Sequence, residues 1–443
     1  MNLSEEQTTA LDHVKKFIKD EFPDVCFTIT GPAGTGKTSI MSVLIQYLEQ
    51  SGHDYVLCAP THKAAMVLKS KTNREVMTLH KLLTLSPNLD ILKLDLNNLL
   101  FKIGSASTEI PYKGVVIVDE ASMINDDLFD LLIQKCKEAH SGVVFLGDAA
   151  QLQPVKGENI AKVFRCNNIF YLKQIYRQSE QNALLPVLTT LRTASIKAFK
   201  TLKSPEGNLI LSSDLNVFLK AARRKIEDAK DQHNLMGAKI LAYTNARVDA
   251  YNKVIHRAFT TDEYARDEII TIGENFGKGN NALYNSMDYY ITQDPLLNDI
   301  YIPSVGICMG WTLKLYDVVT RNEISVNVLS ANNPVEVFNQ IATALEHARL
   351  TAISKKSSMY WKKYYSINEA FLSPIDLTYE DRLVKKAGIS YGYASTVHKA
   401  QGSEYETVFI DMKDILTCRD PQNLRQLQYV GVSRTRKNCV LYV

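Results

Sequence analysis

Short apolar runs rich in β-branched residues alternate with longer stretches whose apolar positions recur at helical spacing. The runs lie at 25–30 (VCFTIT), 55–59 (YVLCA), 114–120 (GVVIVDE), 142–148 (GVVFLGD) and 169–172 (IFYL). Such alternation predicts an α/β fold with a parallel sheet. The earlier runs lead straight into polar or glycine-bearing segments, and open α/β sheets gather ligands outside the carboxyl ends of their strands. Between Lys81 and Pro111 the rhythm changes. Leu92, Leu94 and Leu96 alternate with polar positions, Asn97-Asn98 supplies a turn, and Leu99, Phe101 and Ile103 alternate again. This predicts an inserted β-hairpin. A second α/β unit begins with KILAYT (239–244) and a helix from Ala246 to Arg257, then resumes at 389–396, 408–412 and the C-terminal VLYV. The stretch between carries β-branched runs and Gly/Asn turns, then helical periodicity, and reads as a β-rich and helical insert. The expected division is 1–83 with 108–180 as a first lobe, 84–107 as its hairpin, 181–262 with 388–443 as a second lobe, and 263–387 as the insert.

The segment after the first run is GPAGTGKT, residues 31–38. Strand, glycine-rich turn and helix in that order form a phosphate loop. Its backbone N–H groups and the helix N-terminus face an anion. Gly34, Thr35 and Gly36 shape the cradle, Lys37 would reach the β- and γ-phosphates, and Thr38 would hold Mg²⁺. Asp119-Glu120 ends the third run. There Asp119 would hold Mg²⁺, and Glu120 would polarise the attacking water. Gln151, in LGDAAQLQPV (146–155), offers an amide to the γ-phosphate or to water. Arg177 and Arg434 are candidates for the charge that develops in phosphoryl transfer.

Composition narrows the setting. Hydrophobic residues make up 45% and charged residues 22% of the 443, and 51 Lys and Arg nearly balance 48 Asp and Glu. A nucleic-acid partner would therefore need a local basic groove, not a basic protein. The seven cysteines form no C-x-x-C pair, which points to a reducing compartment without a zinc site or disulfide frame. No apolar run reaches the roughly 18 residues of a membrane span, and the acidic start has no signal-peptide character. A soluble, cytoplasmic protein without membrane contact is expected. The stretch 359–371 (MYWKKYYSINEAF) interleaves aromatic and basic residues and reads as a helix burying Trp361, Tyr365 and Phe371, with base stacking as the alternative.

Taken together, LSEEQ (3–7), GPAGTGKT, APTHKAA (59–65), TLHKLL (78–83), VDEAS (118–122), GDAAQLQPV (147–155), STVHKAQGSEY (395–405) and QYVGVSRTR (428–436) resemble, in order and wording, the superfamily 1 helicases, and most of all their RecD/Dda branch. The resemblance spans nearly the whole chain. It implies two RecA-like lobes, a hairpin in lobe one, an SH3-like and helical insert in lobe two, and ATP with Mg²⁺ in the cleft. It further implies that Arg177 lies at the lobe junction, that Arg434 is an arginine finger in cis, and that Glu404 reaches the nucleotide from lobe two. Gln7 would read adenine, while Ser4-x-x-Gln7 is also a capping box. Thr61, His62, Lys63, Thr78, His80, Thr244, Asn245, Thr396 and His398 would track single-stranded DNA through phosphate and sugar contacts. The hairpin, with Leu96 and Phe101 near its tip, would split the duplex. The implied activity is ATP-dependent 5′→3′ unwinding by a monomer. It would act on single-stranded and duplex-junction DNA, with a single-strand-binding protein or replication factors as protein partners. Alternatives are an RNA or mixed-substrate translocase, or a non-helicase P-loop ATPase switch. A GTPase lacks support because no N-K-x-D guanine reader is present.

Overall fold

The structure, a computed structural model, describes residues 3–91, 96, 100–104, 107–154, 161–175, 182–318 and 320–443. The strands of the first lobe and its hairpin are β1 (Cys26–Thr30), β2 (Tyr55–Ala59), β3 (Val76–Thr78), β4 (Leu85–Pro87), β5 (Phe101–Ile103), β6 (Val115–Val118), β7 (Gly142–Gly147) and β8 (Asn168–Tyr171). All but β4 and β5 form one parallel sheet in the order β3-β2-β6-β7-β1-β8. Central strands β1, β6 and β7 are buried at every position, as strands covered on both faces must be. Their alternate side chains feed two cores. Phe27, Ile29, Ile117 and Val144 meet Val14 and Leu44 of helices Glu5–Lys19 and Lys37–Ser51. Val116, Val118 and Phe145 meet Leu128 and Leu132 of helix Asp126–Glu138.

The second sheet is also parallel, in the order Ala394–Thr396, Ala238–Ala242, Tyr405–Asp411, Thr435–Tyr442, Asn208–Ser212. Edge strand Asn208–Ser212 was absent from the sequence expectation, although NLILS between Gly207 and Asp214 carried the signal. Residues 389–396, expected as one second-lobe strand, divide at Gly392. Ile389–Tyr391 pairs antiparallel with Ile269–Ile272 of the insert, and only Ala394–Thr396 joins the parallel sheet. The physical reason is a close crossing, since a Cβ on Gly392 would sit 2.6 Å from Ile269 Cγ2.

The insert is an antiparallel sheet around the long strand Gly306–Asp317, followed by helices Val335–Lys355 and Ser358–Asn368. The second helix buries Tyr364 and Ile367, and Phe371 just beyond it is fully buried. Helical packing thus accounts for most of the aromatic stretch. Tyr365 departs from the expected burial and is 42% exposed.

The hairpin differs from its sequence pattern. β5 pairs with β4 in the register Leu85↔Ile103, Ser86↔Lys102, Pro87↔Phe101, while 92–95, most of the partner expected from the sequence, lie outside the described residues. Asn88 N still donates to Leu100 O at 2.8 Å, and from Leu89 the chain turns to the insert. Leu89 packs into the helical core, and buried Arg349 donates from Nη1 to the carbonyls of Leu89 (3.2 Å) and Ile91 (2.5 Å). Glu346 grips the same guanidinium at 2.8 and 2.9 Å. The predicted turn at Asn97-Asn98 lies outside the described residues. No helix among the described residues is long and apolar enough to cross a membrane.

Candidate nucleotide site and nucleic-acid groove

β1 ends at Thr30, and helix Lys37–Ser51 starts after a loop in which Gly34 and Gly36 have φ of 88° and 80°. Gly36 is also an approach point, because a Cβ there would lie 2.3 Å from Gln7 Nε2. Gln7 completes a reciprocal capping box with Ser4 and donates from Nε2 to Thr35 O at 2.9 Å. It is thereby fixed against the loop. Lys37 Nζ donates to Gly31 O (2.7 Å) and Pro32 O (2.9 Å). Burial lowers its pKa, opposed by Asp148, Glu120 and Asp119.

A cavity of about 570 Å³ opens over this loop, and Gln7, Gly34, Gly36, Lys37 and Thr38 line one side of it. Asp119, Glu120 and Gln151 close it from the neighbouring strand ends, and Glu404 and Arg434 close it from the second lobe. Thr35 is turned away, its hydroxyl donating to Pro32 O at 3.0 Å. Burial raises the pKa of both Asp119 and Glu120, and for Glu120 the adjacent Asp119 adds to the rise. Asp119 and Thr38 present a carboxylate and a hydroxyl to the same cavity, an oxygen donor pair that suits Mg²⁺ shared with phosphates. Arg434 is 4% exposed. Its guanidinium is aimed by Nη1 to Ser403 O (3.2 Å) and Nη2 to Ser433 Oγ (2.9 Å). Glu404 accepts from Arg436 Nε at 3.3 Å. Arg177 lies outside the described residues.

A second, larger cavity of about 920 Å³ runs beside the first across both lobes. Thr61, His62, Lys63, Thr78, His80 and His398 line it. Thr61 and Thr78 cap the N-termini of helices His62–Thr72 and Leu79–Leu82, accepting from Ala64 N and Lys81 N. Burial holds the three imidazoles below their ordinary pKa, with His80 adding to the effect on His62. They are neutral hydrogen-bonding groups at pH 7. Thr244, Asn245 and Thr396 do not line this groove. Thr244 is held by Asp414 at 3.0 Å and caps helix Asn245–Phe259, and Thr396 accepts from Lys399 N. Phe101 meets the His80 ring at 4.7 Å, which sets β5 on the groove wall. Leu96 instead lines a separate pocket beside Trp361 and Tyr365.

Residues 2–207 match a family model described as an AAA domain, and residues 391–442 one described as a UvrD-like helicase C-terminal domain. The chain is 25% identical over 468 residues to the ATP-dependent DNA helicase dda of Enterobacteria phage T4, covering 100% of this chain and 99% of that relative. It is 23% identical over 466 residues to the RecBCD enzyme subunit RecD of Buchnera aphidicola subsp. Schizaphis graminum, covering 94% and 69%. The likeness to the RecD/Dda-type helicases of superfamily 1 thus runs the full length of the chain. Its fold also matches the Pif1 helicase from Bacteroides crystallised with ADP-AlF3 and ssDNA. That match has a TM-score of 0.53 at 17% identity and covers 100% of this chain and 92% of that one.

The chain also joins its lobes through residues that sequence reasoning missed. Asp148, fully buried in the first lobe, accepts from Arg192 Nη1 at 2.8 and 3.0 Å and from Tyr429 Oη at 2.6 Å. Gln401 of the second lobe donates to Gln151 Oε1 (3.2 Å) and Ser122 Oγ (3.1 Å). Asp148, Gln401 and Tyr429 stood inside motifs already singled out. Arg192 carried no sequence signal, being an arginine at the end of an ordinary helix. The groove likewise draws Asn275, Asn285 and Ser286 from the insert, in turns whose amides look like any loop polarity.

Proposed function

We propose that the chain is an ATP-driven helicase that moves 5′→3′ along single-stranded DNA and opens the duplex ahead of it. One observation carries the reading. Lys37 and Arg434, on opposite lobes, line one cavity while a groove of hydroxyls, imidazoles and lysines crosses the same lobes beside it. Lys37 would neutralise the phosphate oxygens, Glu120 would accept the proton of the attacking water, and Arg434 would stabilise the transferring group. Mg²⁺, held by Thr38 and Asp119, would supply charge neutralisation at the phosphates. Gln7 would fix adenine, and Glu404 would meet the nucleotide from the second lobe. Because Asp148 and Gln151 are bonded to second-lobe residues, a change at the phosphates would be felt as a change in lobe separation.

The division into two lobes at 1–83 with 108–180 and at 181–262 with 388–443, a hairpin at 84–107 and an insert at 263–387 fits this cycle. The lobes would grip the strand alternately through Thr61, His62, Lys63, Thr78, His80 and His398, and the hairpin would divide the duplex. Single-stranded and forked DNA are the partners this reading favours, with the chain working as a monomer in the cytoplasm. Arg177, following the third motif, would stand at the lobe junction. ATP turnover measured with and without single-stranded DNA tests the assignment. Wild type should be DNA-stimulated and Lys37→Ala inactive, whereas unchanged turnover in Lys37→Ala would remove the phosphate loop from the chemistry.

A further inference from the structure

We propose that Cys26 and Cys166 form a reversible, oxidation-dependent disulfide that fastens edge strand β8 to β1. The Cys26 thiol donates to Cys166 Sγ at 2.8 Å, across 140 positions of sequence. The two sulfurs sit in a fixed frame. Thr28 Oγ1 donates to Val163 O at 2.6 Å, and Asn168 Nδ2 donates to Asp24 Oδ2 at 3.1 Å. β1 and β8 are paired from Phe27↔Asn168 onward. The two thiols are unequal. Cys26 is buried, whereas Cys166 is partly exposed. The hydrogen bond from Cys26 favours ionisation of Cys166 against the opposing effect of its partial burial, while the same contact and burial disfavour ionisation of Cys26. A partly exposed thiol whose ionisation is favoured, beside a buried partner thiol, is the arrangement of an attacking and a resolving cysteine.

With hydrogen peroxide as oxidant, Cys166 sulfur attacks one peroxide oxygen and the O–O bond breaks. The leaving hydroxide takes up the proton Cys166 lost on ionising, so the products are Cys166 sulfenic acid and one water. Cys26 sulfur then attacks the sulfenic sulfur, the S–OH bond breaks, and the hydroxide leaves as a second water with the Cys26 proton. Two thiols are oxidised and one peroxide is reduced. Reducing conditions keep the pair as thiols until such an oxidant arrives. Cys26 opens β1 at the end away from the phosphate loop, so the bond would leave the nucleotide cavity intact. Its effect is on stability, because it closes a long loop and ties down the edge strand that leads towards the second lobe.

The test uses the full chain treated with peroxide, alkylated, digested without reductant and read by mass spectrometry, alongside thermal melting with and without dithiothreitol. We expect a Cys26–Cys166 linked peptide that dithiothreitol abolishes, and a melting temperature higher by about 5 °C or more in the oxidised form. Cys166→Ser and Cys26→Ala should each lose both signals. Recovery of Cys166 as sulfinic acid with Cys26 alkylated, or a link without a rise in melting temperature, would overturn the proposal. The wild-type peptide readout decides even where a variant fails to fold.

Discussion

Arg434 and Lys37 face the same cavity but hang from different lobes, and their loss should have different consequences. Arg434 touches no element of the phosphate loop in the structure. Arg434→Ala should therefore keep nucleotide affinity and lower turnover by about 10³-fold, the scale of a missing arginine finger. Equilibrium nucleotide binding set against steady-state ATPase rates checks this. Glu120 allows a pH prediction with a definite sign. Burial and Asp119 hold its pKa above the ordinary 4.5, and the base works only when ionised. Activity should thus fail on acidification at a pH above 4.5, with the acid limb of the kcat/KM profile displaced upward. A limb at or below 4.5 would show that burial and Asp119 do not hold this carboxyl up in the working site. Much of this site was legible in the sequence, because Gly36, Lys37 and the Asp119-Glu120 pair are bound to one local turn chemistry. Thr35 has a side-chain contact that the sequence did not foretell. Its hydroxyl closes on the loop's own Pro32 carbonyl, a detail set by the fold of the loop and invisible in its spelling.

The hairpin shows where element-level reasoning loses its grip. β1, β6 and β7 could be read directly, because strands buried on both faces are uniformly apolar. The pairing of β5 could not. Period-2 alternation at 92–96 looked like its partner, but Leu89 and the carbonyls of Leu89 and Ile91 are drawn into the insert by a helix more than 240 residues later in sequence. Long-range capture of this kind leaves no mark on local periodicity. Arg349→Ala would leave the buried Glu346 carboxylate with only the longer 3.5 Å contact to Arg382 and should destabilise the chain, by up to about 3 kcal/mol, measurable by denaturant unfolding. Replacing residues 95–100 by Gly-Gly is the sharper test of the wedge. ATP turnover stimulated by single-stranded DNA should survive while duplex unwinding disappears. Retained unwinding would show that these residues do not separate strands.

At the scale of the whole molecule, the two parallel sheets bring one phosphate loop and Arg434 to a common cleft, and a hydroxyl and imidazole groove lies alongside. Sequence could name the motifs in both lobes. It could not place the Asp148–Arg192–Tyr429 contact that ties them, since Arg192 acquires meaning only when its helix meets Gly147-Asp148 across the cleft. Nor could it tell that Thr244 bonds Asp414 and that Thr396 accepts from Lys399 N within the second lobe. What the assembled cleft and groove should do together is measured by strand displacement on duplexes carrying either a 5′ or a 3′ single-stranded tail, with ATP and Mg²⁺. The account predicts that the 5′-tailed duplex opens, that the 3′-tailed one stays closed, and that Lys37→Ala opens neither. Failure of wild type to open the 5′-tailed duplex, or equal opening by Lys37→Ala, would contradict it.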